Sequence, residues 1–148
     1  MAAAQNGFAS KRFVQYDPST FVADPELLLA LEKRSTPVLC DTERLLFREG
    51  ESPVGLYILK QGYATLRMES KGTDSTFTVL APPGSLLGLP GLAGNQPYTL
   101  TAIAHAGAEV CFVPRKAFTS LMQSEPALSL KILQVLAAEV RSARKAIV

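Results

Sequence analysis

The chain has a single histidine, two cysteines and no apolar run approaching the 18 residues that a membrane span needs. Each scarcity removes a class of chemistry. His105 sits at a turn beside Ala106-Gly107 and reads as a surface residue. There is no Ser-His-Asp order, no His/Cys/Asp metal spacing and no Gly-Lys-Ser/Thr phosphate loop. Cys40 and Cys111 form neither a metal motif nor a disulfide framework and read as buried strand residues. The acidic pairs Glu49/Glu51 and Asp41/Glu43 flank turns, where carboxylates are solvated rather than paired for acid–base work. A net charge of +2 is too small to argue for nucleic acid or a membrane surface. The start, Met1 to Gly7, lacks a cationic stretch followed by an apolar core. The expectation is a cytoplasmic protein that is not an enzyme and holds neither metal nor cofactor.

What is present suffices for one folded unit. At 148 residues and 47% apolar content the chain can bury its own core. Residues 1–20 read as an N-terminal arm, 21–125 as a helix plus β-roll, and 126–148 as a C-terminal dimerisation helix. Asp24-Pro25-Glu26 opens a helix: the Asp caps it, the Pro suits its first position and the Glu suits its dipole. From Thr36 to Pro114 the pattern becomes short strands broken by turns. Strands are predicted at Pro37–Cys40, Arg44–Phe47, Gly55–Leu59, Ala64–Glu69, Thr76–Leu80, Tyr98–Ala104 and Ala108–Val113. Turns are predicted at Glu49–Glu51, Gln61-Gly62, Lys71–Asp74 and His105–Gly107. Many short strands with frequent turns imply a mainly β, double-sheet jelly roll with flanking helices.

The stretch Leu80 to Ala104 carries the most information. Pro82-Pro83-Gly84 turns, Gly88 and Gly91 bracket a short apolar segment, and Gly94-Asn95 turns again. Glycines at this spacing let backbone N–H groups converge on an anion. The outline resembles the phosphate-binding cassette of the cyclic-nucleotide-binding domain in catabolite-activator-type regulators. Gly50-Glu51, Leu56–Leu59, Gly62 twelve residues after Gly50, and Arg115 to Ser124 extend the resemblance over roughly residues 36 to 148. It implies a double-stranded β-helix, a ribose-binding Glu after the first glycine, and a phosphate-binding Arg opening the next strand. Those positions hold Leu89 and Tyr98 here, with Thr99 following. A phenol cannot replace a guanidinium's charge or its fork of donors. Gly88-Leu89-Pro90-Gly91 and Asn95–Tyr98 are similar to the fumarate–nitrate regulator branch, but its N-terminal cysteine cluster is absent. Iron–sulfur sensing therefore does not carry over.

The last segment is helical from Glu125-Pro126 onward. Ser129, Leu133, Leu136, Val140, Ala143 and Ile147 are spaced 4, 3, 4, 3, 4, a heptad stripe suited to a second helix. Leu133, Leu136, Val140, Ala143 and Ile147 are the expected dimer interface, with Leu128, Ile132 and Val135 holding the helix on the roll. In the family this helix completes the adenine site, often through a Thr-Ser pair. The matching positions are Ala143, which has no hydroxyl, and Arg144, which either meets a ring or anion or is a solvated helix end. Relatives continue into a winged helix-turn-helix. Ending at Val148, with only Arg141, Arg144 and Lys145 as a basic run, the chain is not expected to read DNA by itself.

Three functions fit these residues. The first is a homodimeric sensor whose pocket (Gly88, Leu89, Pro90, Gly91, Leu92, Tyr98, Thr99 and Arg144) is re-lined for a small effector other than cAMP or cGMP. The second is a scaffold for dimerisation or a protein partner, with Leu89 and Tyr98 as plugs. The third is weak cyclic-nucleotide binding through the Gly88–Ala93 backbone.

Overall fold

A computed structural model describes residues 17–69 and 76–146. The expected arm up to residue 16, the Lys71–Asp74 turn and Ile147 lie outside these. Pro18–Phe21 forms a 3-10 turn capped by Asp17, and Phe21 is buried. Helix α1, Pro25–Glu32, starts as its sequence dictates: the Asp24 carboxylate accepts from Glu26 N at 2.8 Å and Leu27 N at 3.3 Å.

Among the described residues eight strands follow: β1 Thr36–Val38, β2 Arg44–Phe47, β3 Gly55–Gln61, β4 Ala64–Glu69, β5 Thr76–Ala81, β6 Ser85–Leu87, β7 Thr101–Ala104 and β8 Glu109–Pro114. A short helix α2, Leu89–Gly94, lies between β6 and β7, and α3, Arg115–Ser124, and α4, Pro126–Ala146, close the chain. The strands form two antiparallel sheets, ordered β1-β8-β3-β6 and β2-β7-β4-β5. This is the expected jelly roll.

The two sheets differ in how they are buried, and their sequences say why. β3 is a near-continuous apolar run whose alternate residues serve two cores. Leu56 and Ile58 join α1, α3 and α4, whereas Leu59 points into the roll. β7 alternates instead: Ala102 and Ala104 face inward, Thr101 and Ile103 outward. Ala81, Ala64 and Ala104 lie side by side across the second sheet, all fully buried. Such small side chains leave the interior open to large ones, and Phe47 and Tyr98 occupy it.

Several boundaries depart from the predicted ones, and two of them have a visible cause. β1 stops at Val38, and Cys40 turns into the roll core with its sulfur near Val38 O. β7 starts at Thr101 rather than Tyr98, because the Tyr98 backbone bonds to the turn after β2: Tyr98 N donates to Glu51 O, and Gly50 N to Tyr98 O. The strand Ser85–Leu87 was not predicted. Both cysteines are buried and unbridged. No helix among the described residues is long and apolar enough to cross a membrane.

Candidate functional site

The site is built around α2. Gly88 opens it with φ 90°, a left-handed conformation that favours glycine, and a Cβ there would lie 2.9 Å from the Tyr98 ring. Glycine is therefore required twice, by backbone and by space. After one turn the helix ends at Asn95, and Gln96 N donates to Gly91 O at 2.9 Å.

Tyr98 is held at every end. Its ring stacks on Phe47 with centroids 4.1 Å apart. Its hydroxyl donates to Gly55 O at 2.7 Å and accepts from Val54 N at 3.2 Å. Its side chain is 3% exposed. Gly55 has no room for anything larger, since a Cβ would sit 2.3 Å from Val113 O. Nearby, Thr101 Oγ1 accepts from Glu49 N at 2.9 Å, a second tie between the cassette and the turn at Gly50.

A cavity of about 10 Å³, enough for one water, remains beneath the cassette. Of the sequence-predicted residues, the structure gathers Gly88, Pro90, Gly91, Tyr98 and Thr99 around it. Leu89 and Leu92 are not among them; both are buried in the helix-side core with Leu27, Phe118 and Leu128. Arg144 lies in α4 with its side chain outside the described residues, as does Ala143. Three wall residues were not singled out in the sequence: Phe21, Phe47 and Glu139.

Glu139 comes from α4 and is 8% exposed. Burial pushes its carboxyl up to about 8. A register signal exists for it, since Leu128, Ile132, Val135 and Glu139 follow one another at spacings 4, 3 and 4 along the docked face. Among the described residues lining the cavity, Tyr98 and Glu139 are the ionisable ones, and none is Lys, Arg or His. The chemistry inside this cavity is an aromatic wall, an acid and a one-water gap, and among the described residues lining it there is no cation to meet a phosphate; Arg48 and Arg67 line an open groove to which Tyr98 and Thr99 also contribute.

The sequence model for the cyclic nucleotide-binding domain matches residues 37–125, well over half of the chain. The chain belongs to the cyclic nucleotide-binding domain family. The Thermus thermophilus catabolite activator protein superposes with a TM-score of 0.70 at 24% identity, over 86% of this chain and 60% of that one. A cyclic nucleotide-binding-like protein from Brucella abortus matches at 29% identity and a TM-score of 0.53, over 68% of this chain and 85% of that one. Lysophospholipase nte1 of Neurospora crassa is 27% identical over 118 residues, which is 80% of this chain and 8% of that protein. The chain thus spans only part of the first and last of these relatives. In this cyclic nucleotide-binding domain, α2 starts at the left-handed Gly88, and the stacked pair Tyr98 and Phe47 lines the cavity with it.

Proposed function

We propose that this chain is a non-enzymatic regulatory module of the cyclic nucleotide-binding domain family whose cassette is closed to cAMP and cGMP. It responds to something else and reports through α4 as a homodimer. The observation that carries this reading is Tyr98: stacked on Phe47, hydrogen-bonded to Gly55 and Val54, and almost fully buried. A nucleotide could enter only by breaking those contacts, and it would then meet no cation among the described lining residues. Losing a charge-assisted contact to phosphate removes about 1.5–3 kcal/mol per bond, before the cost of displacing the tyrosine.

The α4 surface supports the dimer. Leu133 and Val140 are 59% and 52% exposed, and Leu130 stands beside them at 60%. Leu136 of the expected stripe turns partly toward the helix-side core instead. An apolar strip on the face opposite the docked one is what a second helix would cover. A purely structural scaffold is the alternative reading, and Glu139 argues against it: a scaffold has no need to place an acid from its output helix inside the former ligand space.

Calorimetric titration of the full chain with cAMP and cGMP tests the proposal. No heat of binding and no thermal shift are expected up to millimolar nucleotide. A shift of several degrees at micromolar nucleotide would overturn it.

A further inference from the structure

We propose that the open groove on the outer face of the second sheet is an anion site, built from Arg48, Arg67, Thr99 and Thr101. It takes a small molecule with a doubly charged head and an apolar body. The inference goes beyond the closed-cassette reading, since it places a ligand outside the roll rather than inside it.

Strand order assembles the groove. β2, β7 and β4 are neighbours in the second sheet, and their residues Phe47, Ala102 and Leu66 are buried in the roll. The residues that alternate with these face outward. Arg67 of β4 lies opposite Thr101 of β7, and Leu45 of β2 lies opposite Ile103 of β7. Arg48 follows β2 directly, and the chain there is tied to the same place, because Glu49 N donates to Thr101 Oγ1 at 2.9 Å. Two strand spacings, roughly 10 Å, separate Arg48 from Arg67. Arginine side chains are long enough to converge above Thr101 from both flanks. Tyr98 and Thr99 continue the groove toward the cassette, and its volume is about 1180 Å³. That is room for a drug-sized molecule.

The charges decide what fits. Among the described residues, the charged or titratable groups lining the groove are Glu43, Arg48, Glu49, Arg67 and Tyr98. The Arg48 backbone N–H donates to Glu51 Oε1 at 3.2 Å. Neither the Arg48 nor the Arg67 guanidinium, however, has a hydrogen bond or ion pair among the described residues. The acids do not neutralise them: Glu43 stands exposed in water, and Glu49 has an interaction of its own. Guanidinium groups hold phosphate and carboxylate oxygens through paired N–H donors, and two of them suit two charges better than one. A phosphate monoester carries about −1.5 to −2 at neutral pH. A cyclic phosphodiester carries a single charge. The hydroxyls of Thr99 and Thr101 add neutral donors, and Leu45 with Ile103 forms an apolar floor.

Titration of the full chain with phenyl phosphate, followed by NMR of backbone amides and arginine side chains, tests the site. Saturable shifts are expected at Gly50, Thr99 and Thr101 and at the Nε–H groups of Arg48 and Arg67. Arg48→Gln and Arg67→Gln should each weaken binding about tenfold, the loss of one charge-assisted contact. Diphenyl phosphate, a diester with one charge, should also bind about tenfold more weakly than phenyl phosphate. No saturable shift, affinity unchanged in both variants, or equal affinity for the diester would overturn the proposal. The natural chain alone gives a further readout that does not depend on how the variants fold. Affinity for phenyl phosphate should fall from pH 8 to pH 5 with a midpoint of about 6, where the monoester takes its second proton. A flat profile would overturn the proposal as well. Failure of the two readings is distinguishable: cAMP or cGMP bound within the roll would break the closed cassette, whereas phenyl phosphate that does not bind breaks only the groove assignment.

Discussion

The two walls of the cavity are fixed by different means. On the cassette wall, Tyr98 is held by a ring stack, two side-chain hydrogen bonds and two backbone ones. On the helix wall, Glu139 is held by the burial of its neighbours Ile132 and Val135, and its own burial opposes ionisation. One wall is rigid because its polar atoms are satisfied by protein. The other is conditional because it carries a carboxyl whose burial favours the neutral form.

Removing the fixed wall should have the largest effect. Tyr98→Ala deletes a buried ring and leaves Phe47 facing a void beside small alanines. A loss of about 3–5 kcal/mol in urea unfolding is expected, as for other buried aromatic truncations. If the variant instead keeps its stability and gains affinity for a nucleotide, Tyr98 is a displaceable lid and the two walls are not different in kind. Tyr98→Phe separates ring from hydroxyl. It leaves Gly55 O without its donor and should cost about 1–3 kcal/mol, again by urea unfolding, with the stack on Phe47 intact.

Much of the rigid wall was legible in the sequence, and the conditional wall was not. Asp24-Pro25-Glu26 announced α1 because a cap and a proline act locally, whereas α3 at Arg115 to Ser124 was legible only through the family resemblance. The apolar run Leu56–Leu59 was readable as a strand, although only the fold shows that both its faces are buried. β6 escaped because three residues between two glycines carry no period to read. Tyr98 could be recognised as standing where an arginine was expected. Its binding to a carbonyl 43 residues away could not, since that contact exists only once β3 and the cassette are brought together. Glu139 was hidden for another reason. A charged residue on a helix is normally solvated, and the heptad stripe marks a different face of α4 from the one that carries Glu139.

The conditional wall yields the next largest effect, and its sign follows from linkage. Glu139 ionises near 4.5 when exposed and near 8 when folded. The stability it contributes is complete below about pH 4.5 and is lost as pH rises through 8. Over that interval the unfolding free energy should fall by up to roughly 1.4 kcal/mol per pH unit, and Glu139→Gln should flatten the curve. Equal slopes for both chains in a series of urea titrations would place the pH sensitivity elsewhere and remove the contrast between the walls.

The smallest effect on folding should come from the far side of α4. Leu133→Asp together with Val140→Asp alters two side chains that are more than half exposed and make no part of either core. Stability of the isolated subunit should change by no more than about 0.5 kcal/mol per site, as for other surface positions. Sedimentation should nevertheless shift from dimer to monomer, because a carboxylate placed on an apolar seam must be desolvated when a second helix covers it.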